Sequence, residues 1–131
     1  MKVLDAGFLI DYLNGEESAG EFYEANGGRD ERWVMPLPAY AEALVGVGNV
    51  HRADLATAIE HLGWGEVYDV DERTAITAAE IADEVAPEGP YLDGMDALIA
   101  AVGRELDAPV VSAVGDLTHP ETKRVVDVEE Y

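Results

Sequence analysis

What most restricts the fold of this chain is its alternation of short apolar strand patterns with helical periodicities, punctuated by Gly and Pro. Strand patterns fall at Lys2–Leu4, Arg32–Met35, Glu66–Val70, Pro109–Ser112 and Val125–Val128. Helical patterns cover Ala6–Leu13, Glu16–Ala25, a third helix opened by Pro38, Val50–Leu62, Asp71–Val85 and Ala97–Leu106. Strands joined through helices pair in parallel, and a parallel sheet needs cover on both faces. The expected fold class is therefore α/β, a central parallel sheet of about four or five strands in an αβα sandwich. Residues 1–131 suffice for one domain that buries roughly two-thirds of its unfolded surface.

The spacing also predicts which helix faces are buried. Leu37, Ala41, Leu44 and Val45 form the stripe of the third helix, and Leu55, Ile59 and Leu62 that of the fourth. Ala75, Ala78, Ala79, Ala82 and Val85 do the same for the fifth, and Leu98, Ala101 and Val102 for the sixth. Phe8, Leu9, Tyr12, Leu13, Phe22 and Tyr23 read as core at helical spacing. The stretch Ala113–Thr122 reads as an irregular polar loop.

Charge is the second constraint. The chain carries 28 acids and 8 bases, a net charge of -20, yet 48% of its residues are hydrophobic and periodically placed. That combination describes a packed core under an acidic surface rather than disorder. Such a surface repels itself at low salt, and molar salt shortens the screening length to about 3 Å. A salt-adapted, haloarchaeal-like source follows as the expectation. The absence of Cys excludes disulfides and thiolate metal sites. No apolar run approaches the ~20 residues of a membrane helix and no signal-peptide pattern is present, so a soluble, cytoplasmic protein is expected.

Several acids stand where strands end or helices begin: Asp5, Glu42, Asp93, Asp96 and Asp116. In an open parallel sheet such positions converge on one edge. Carboxylates that converge without basic partners repel one another unless a divalent cation neutralises them. Hard oxygen donors suit Mg²⁺ or Mn²⁺, which can activate water and stabilise phosphodiester oxygens. A plainer role stands beside this one, since Asp5 and Asp93 are also favoured helix caps and an acid at Asp96 suits a helix N-terminus. Twenty-eight acids would also place some at strand ends by chance.

Val3-Leu4-Asp5, Phe8 to Leu13, Pro38 to Leu44 with Glu42, Asp96 to Ala101 and Val110-Val111-Ser112, in this order, resemble a PIN-domain ribonuclease of the VapC toxin type. The resemblance spans nearly the whole chain. It implies a PIN-like fold and a Mg²⁺- or Mn²⁺-dependent endoribonuclease acting on RNA, paired with a small antitoxin protein and forming a homodimer. It assigns Asp5, Glu42 and Asp96 as the central acids, with Asp93 as a further acid beside the metal. Ser112 stands where the family has Thr. Two departures matter: Val114 occupies a position often held by an acid, which leaves Asp116 to substitute, and Ala6-Gly7 replaces the hydroxyl residue that normally follows the first Asp. Reduced metal affinity, or a degenerate domain that binds RNA or protein without cutting, is the corresponding alternative.

Other chemistries find little support. His51, His61 and His119 are too scattered for a ligand pattern and read as surface or satisfied residues. There is no Ser-His-Asp arrangement and no phosphate-binding glycine loop. A phosphorelay receiver needs a late Lys beside the acids, and Lys123 falls too near the end to serve. Few Lys and Arg are available for phosphate contacts, so weak intrinsic RNA affinity is expected.

Overall fold

The computed structural model describes residues 1–50 and 54–131. Strand β1 (Lys2–Leu4) lies at the centre of the sheet, with Val3 and Leu4 fully buried. Helix α1 (Ala6–Leu13) follows directly, then α2 (Glu17–Ala25), a 3-10 turn at Gly28–Asp30, and β2 (Trp33–Pro36). After these come α3 (Leu37–Asn49), α4 (Leu55–His61), β3 (Gly65–Tyr68), α5 (Glu72–Val85) and α6 (Gly94–Leu106). Strand β4 (Val110–Val111), α7 (Gly115–Thr118), α8 (Pro120–Val125) and β5 (Val128–Glu129) complete the order.

The five strands pair in parallel in the order β3-β2-β1-β4-β5. In register, Val3 stands opposite Val34 on one side and Val110 on the other, so the middle of the sheet is a buried band of Val. This is the αβα parallel architecture that the alternation predicts. At the edge, β3 exposes Val67.

Helix α6 crosses the core. Ala97 and the run Ile99 to Gly103 are buried, so nearly the full circumference of the helix is covered. Gly103 permits this: a Cβ there would stand 2.6 Å from Val110 Cγ2 and 3.1 Å from the Ala108 carbonyl oxygen. The helix ends where Asp107 adopts φ 50, a left-handed conformation that Asp tolerates better than most residues.

Three helix faces differ from the sequence expectation. In α3, Ala39 and Ala43 are buried while Leu37 and Val45 are exposed at 41% and 59%, and Ala41 also faces outward. The helix is apolar almost all round, so periodicity admits two faces, and the smaller residues take the close contact with α1. Ala58 in α4 and Leu62 at its C-cap are buried whereas Leu55 and Ile59 point out. Of the expected Val50–Leu62 helix, residues 51–53, His51 and Arg52 among them, lie outside the described residues, while Val50 is the extended C-cap of α3 and Asp54 the N-cap of α4, so the helix begins at Leu55. In α5, Thr74, Ala78, Ile81 and Val85 are buried, and Ala75 and Ala79 are exposed. The branched side chains Ile81 and Val85 have more apolar area to remove from water than an alanine row and set the rotation of the helix.

The expected loop at Ala113–Thr122 is instead two short helices. Pro120 opens α8, His119 Nδ1 accepts from Glu121 N at 3.1 Å, and Thr122 Oγ1 donates to the Asp116 carbonyl at 2.7 Å. His119 is thus a satisfied helix cap, and Pro is well suited to the first helical position. Because α8 runs to Val125, the last strand falls at Val128–Glu129 rather than Val125–Val128.

Candidate active site

The strand order places a topological switch between β1 and β4. From β1 the sheet extends through β2 and β3 in one direction and through β4 and β5 in the other. Crossovers leaving such a pair in opposite directions open a crevice beyond the strand ends. Asp5 follows β1 and Ser112 follows β4, so both stand at this crevice.

Asp5 is 3% exposed. Its Oδ1 accepts from Phe8 N at 2.7 Å, the N-cap of α1, and its Oδ2 accepts a short hydrogen bond from Ser112 Oγ. Ser112 Oγ in turn accepts from Val114 N at 3.0 Å. Burial pushes the Asp5 carboxyl above its usual range. The Ser112 and Phe8 hydrogen bonds oppose that rise, and the charges of Asp11 and Glu42 reinforce it. Although Ala6 and Gly7 provide no hydroxyl, Ser112 supplies one from the neighbouring strand.

Asp96 stands in the first turn of α6, whose N-cap is Asp93: Asp93 Oδ1 accepts from Asp96 N at 2.7 Å. The Asp96 carboxyl is pushed up to about 6, first by burial and then by the negative charges of Asp93, Asp5, Asp116 and Glu42. The five acids singled out in the sequence therefore share one electrostatic neighbourhood. Asp5 is buried, Asp96 is partly buried, and Asp93, Glu42 and Asp116 are exposed at its rim. Among the described residues none of the five forms an ion pair with Lys, Arg or His.

Such a donor set, all carboxylate and uncompensated, fits a hard divalent cation. Among the described residues no three His, Asp or Glu side chains close into a ready-made cage. A cation bound here would be held by one or two of these carboxylates together with its own waters, the way Mg²⁺ is usually bound. Asp5 and Asp96 are best placed for this, Asp93 keeps Oδ2 free of its capping bond, and Glu42 and Asp116 offer exposed acceptors.

Two neighbours carry no signal in the sequence reading. Tyr131, beyond β5, donates from Oη to Asp11 Oδ2 at 2.6 Å and packs edge-on against Phe8 at 4.9 Å between ring centroids. Its hydroxyl is raised above the ordinary phenol range by burial, by the Asp11 hydrogen bond and by the charges of Asp5 and Asp11. Asp11 itself lies on α1, and only the folded position of Tyr131 draws attention to it.

Cations elsewhere are largely engaged. Lys2, Arg32, Arg104, Lys123 and Arg124 each pair with a Glu. Among the described residues no helix is long and apolar enough to cross a membrane.

Comparison with known proteins adds the following. The PIN domain family model matches residues 2–119. No curated protein sequence matches the chain. Among solved structures, VapBC2 from Rickettsia felis, bound to a DNA fragment from its promoter, superposes with a TM-score of 0.79 at 16% identity, covering 99% of this chain and 98% of that one. DNA-bound VapBC from Salmonella typhimurium gives 0.76 at 23% identity, with 98% and 96% covered. FitAcB from Neisseria gonorrhoeae gives 0.77 at 17% identity, with the same coverage. At these identities the likeness is one of fold.

Proposed function

Because the chain belongs to the PIN domain family, we propose that it is a Mg²⁺- or Mn²⁺-dependent endoribonuclease, the toxin of a toxin-antitoxin pair. The feature that carries this reading is the gathering of Asp96 with Asp5, Asp93, Glu42 and Asp116, none of which forms an ion pair among the described residues, so that burial and these charges push the Asp96 carboxyl up to about 6. Uncompensated negative charge of this kind at a topological switch is what a divalent cation relieves.

When bound, the cation would activate a water and neutralise charge on the scissile phosphodiester. Asp5 and Asp96 would hold it, with Asp93 alongside. Ser112 and the Phe8 amide fix the Asp5 carboxylate, so its orientation is set before any ligand arrives. Glu42 and Asp116, exposed and near enough for their charges to raise the Asp96 carboxyl, would be the groups to accept a proton from a cation-bound water. Near neutral pH Asp96 is mostly ionised, as a ligand must be.

With Lys2, Arg32, Arg104, Lys123 and Arg124 turned to glutamates, five of the eight basic residues are already engaged within the protein, which leaves few for a phosphate backbone. Affinity for RNA then depends on the cation and on high ionic strength, which screens the repulsion between two polyanions.

An antitoxin has a place to dock. A largely apolar groove of about 430 Å³ runs between α1, α3 and α4, lined by Ile10, Leu13, Ala43, Val47 and Ala58 together with Asn14, Asp54, Thr57 and His61. Val45, Leu55 and Ile59 lie exposed on the same helices. An amphipathic antitoxin helix would cover such a groove, and the exposed apolar side of α3 would serve a second copy in a homodimer. The similar VapBC2, FitAB and Salmonella typhimurium VapBC are DNA-bound assemblies, and a further neighbour of the same fold is a toxin-antitoxin complex from Klebsiella pneumoniae.

The alternative, a PIN domain that binds RNA or protein without cutting, draws on Val114: this side chain is apolar and 37% exposed at the head of α7. One assay decides between the two. In multimolar KCl, Mn²⁺-dependent cleavage of a mixed RNA substrate is expected from the wild type and is abolished by Asp5→Asn and by Asp96→Asn. RNA that stays intact with every divalent metal tried would favour the binding module.

A further inference from the structure

Tyr91 stands apart from the other tyrosines. Tyr12, Tyr23, Tyr40, Tyr68 and Tyr131 are buried or half-buried, whereas Tyr91 is 89% exposed, more than any other large hydrophobic residue among those described. Tyr68 and Tyr131 each donate to a carboxylate, and Tyr12 and Tyr23 pack against Trp64. Among the described residues Tyr91 has neither kind of partner. Its ring leaves in water a large apolar face that a ligand can cover.

The chain ties this ring to the acidic site. Asp93 follows two residues later, a span of at most about 7 Å, and its carboxylate is fixed by the cap on Asp96 N at 2.7 Å. Leu92 and Asp93 both line a cavity of about 350 Å³ between α5 and α6, so the chain passes from Tyr91 along the cavity wall to the acids. On the other side the loop is packed down. Gly89 N donates to the Val85 carbonyl at 2.8 Å, and a Cβ on Gly89 would stand 2.8 Å from Val85 Cγ1 and 2.9 Å from Glu121 Cβ. Pro90 then fixes φ immediately before the tyrosine. Tyr91 is thus held between a packed anchor and a capped helix start.

A nucleic acid meets little free positive charge on this protein, since five of its eight basic residues pair with Glu. High ionic strength weakens the remaining phosphate contacts further. Stacking of a base on an aromatic ring needs no opposite charge and accepts any base, because every base has a π-face. We propose that Tyr91 is a substrate-binding residue: its ring stacks on an unpaired base of the RNA strand whose phosphodiester lies at the acids. Bases in a duplex are already stacked on one another, so this contact selects single-stranded RNA. The inference rests on the nuclease reading and names the form of RNA that the site takes.

The test follows a fluorescein-labelled single-stranded RNA oligonucleotide of mixed sequence by anisotropy, in multimolar KCl with EDTA so that no metal-dependent cleavage intervenes. Tyr91→Ala is expected to weaken binding about tenfold, and Tyr91→Trp, which keeps an aromatic face, to bind at least as tightly as the wild type. Affinity for the corresponding duplex, Mn²⁺ affinity and the unfolding midpoint should stay unchanged in Tyr91→Ala. With Mn²⁺ present, its KM should rise by the same factor at constant kcat. Wild-type affinity and KM in Tyr91→Ala overturn the proposal, and so does an equal loss for single strand and duplex, or a loss that Tyr91→Trp shares. RNA affinity that is kept while sedimentation shows a changed oligomeric state overturns it in favour of a contact between copies of the chain. If the wild type binds single-stranded RNA through Tyr91 but never cuts it, the nuclease reading fails and the role of Tyr91 stands. If the wild type neither binds nor cuts RNA, both readings fall.

Discussion

Replacing Asp96 with Asn should make the metal-free protein more stable and the metal-loaded protein less so. In the fold the Asp96 carboxyl is pushed up to about 6, from an ordinary value of 3.8, because burial and four neighbouring acids oppose its charge. A carboxyl raised in this way does no harm below its unfolded pKa. Its cost grows as pH rises through the interval from 3.8 to about 6 and is complete above it. The two pKa values differ by about two units, and at about 1.4 kcal/mol per unit the ionised group opposes folding by up to ~3 kcal/mol. Solvent reaches part of this side chain, so about 1–2 kcal/mol is the expected net figure. Asn has nearly the same shape and no charge. In EDTA at pH 7.5 and fixed KCl, Asp96→Asn should therefore raise the calorimetric midpoint by about 3–8 °C, and at pH 4 the difference should shrink to a small fraction of that. Mn²⁺ reverses the order. At about a hundred times its Kd the cation adds about 2.7 kcal/mol to a protein that binds it, and the variant lacks that gain. A variant that melts below the wild type at pH 7.5 without metal, or a difference of equal size at pH 4, would refute the electrostatic argument.

Other consequences follow from the same structure. Ser112→Ala removes the hydroxyl donor to the buried Asp5 carboxylate and the acceptor of Val114 N; urea titration at pH 7.5 should show a loss of about 1–3 kcal/mol, and the deficit should shrink as falling pH protonates Asp5. Gly103→Ala places a methyl 2.6 Å from Val110 Cγ2, so overpacking between α6 and β4 should cost about 1–3 kcal/mol; unchanged stability would show that the helix can retreat from the sheet. Raising KCl from low to multimolar concentration should raise the unfolding midpoint, because screening relieves a net charge of -20. A midpoint indifferent to KCl would remove the case for salt adaptation.

The sequence by itself determined the fold class and, with it, where the acids would stand. Alternation of β and α patterns forces parallel pairing, and parallel strands put every residue that follows a strand, Asp5 and Ser112 among them, at one edge of the sheet. Helix starts obey the same geometry, which is why Asp93 and Asp96 reach that edge from the opposite chain direction. Only the tertiary structure could decide the rotation of α3, α4 and α5, since a helix apolar on several sides has no unique buried face until a neighbour selects one. It likewise decided that Gly115–Thr118 and Pro120–Val125 are helical, where a His119 cap, Pro120 and the Thr122 bond to the Asp116 carbonyl outweigh a polar composition. The environment of Asp5 divides in the same way. Its N-cap bond to Phe8 is local and legible from spacing. The Ser112 hydroxyl and the Tyr131–Asp11 pair arrive from residues remote in the chain, placed there by the pairing of β4 with β1 and β5, and no local pattern encodes such a meeting.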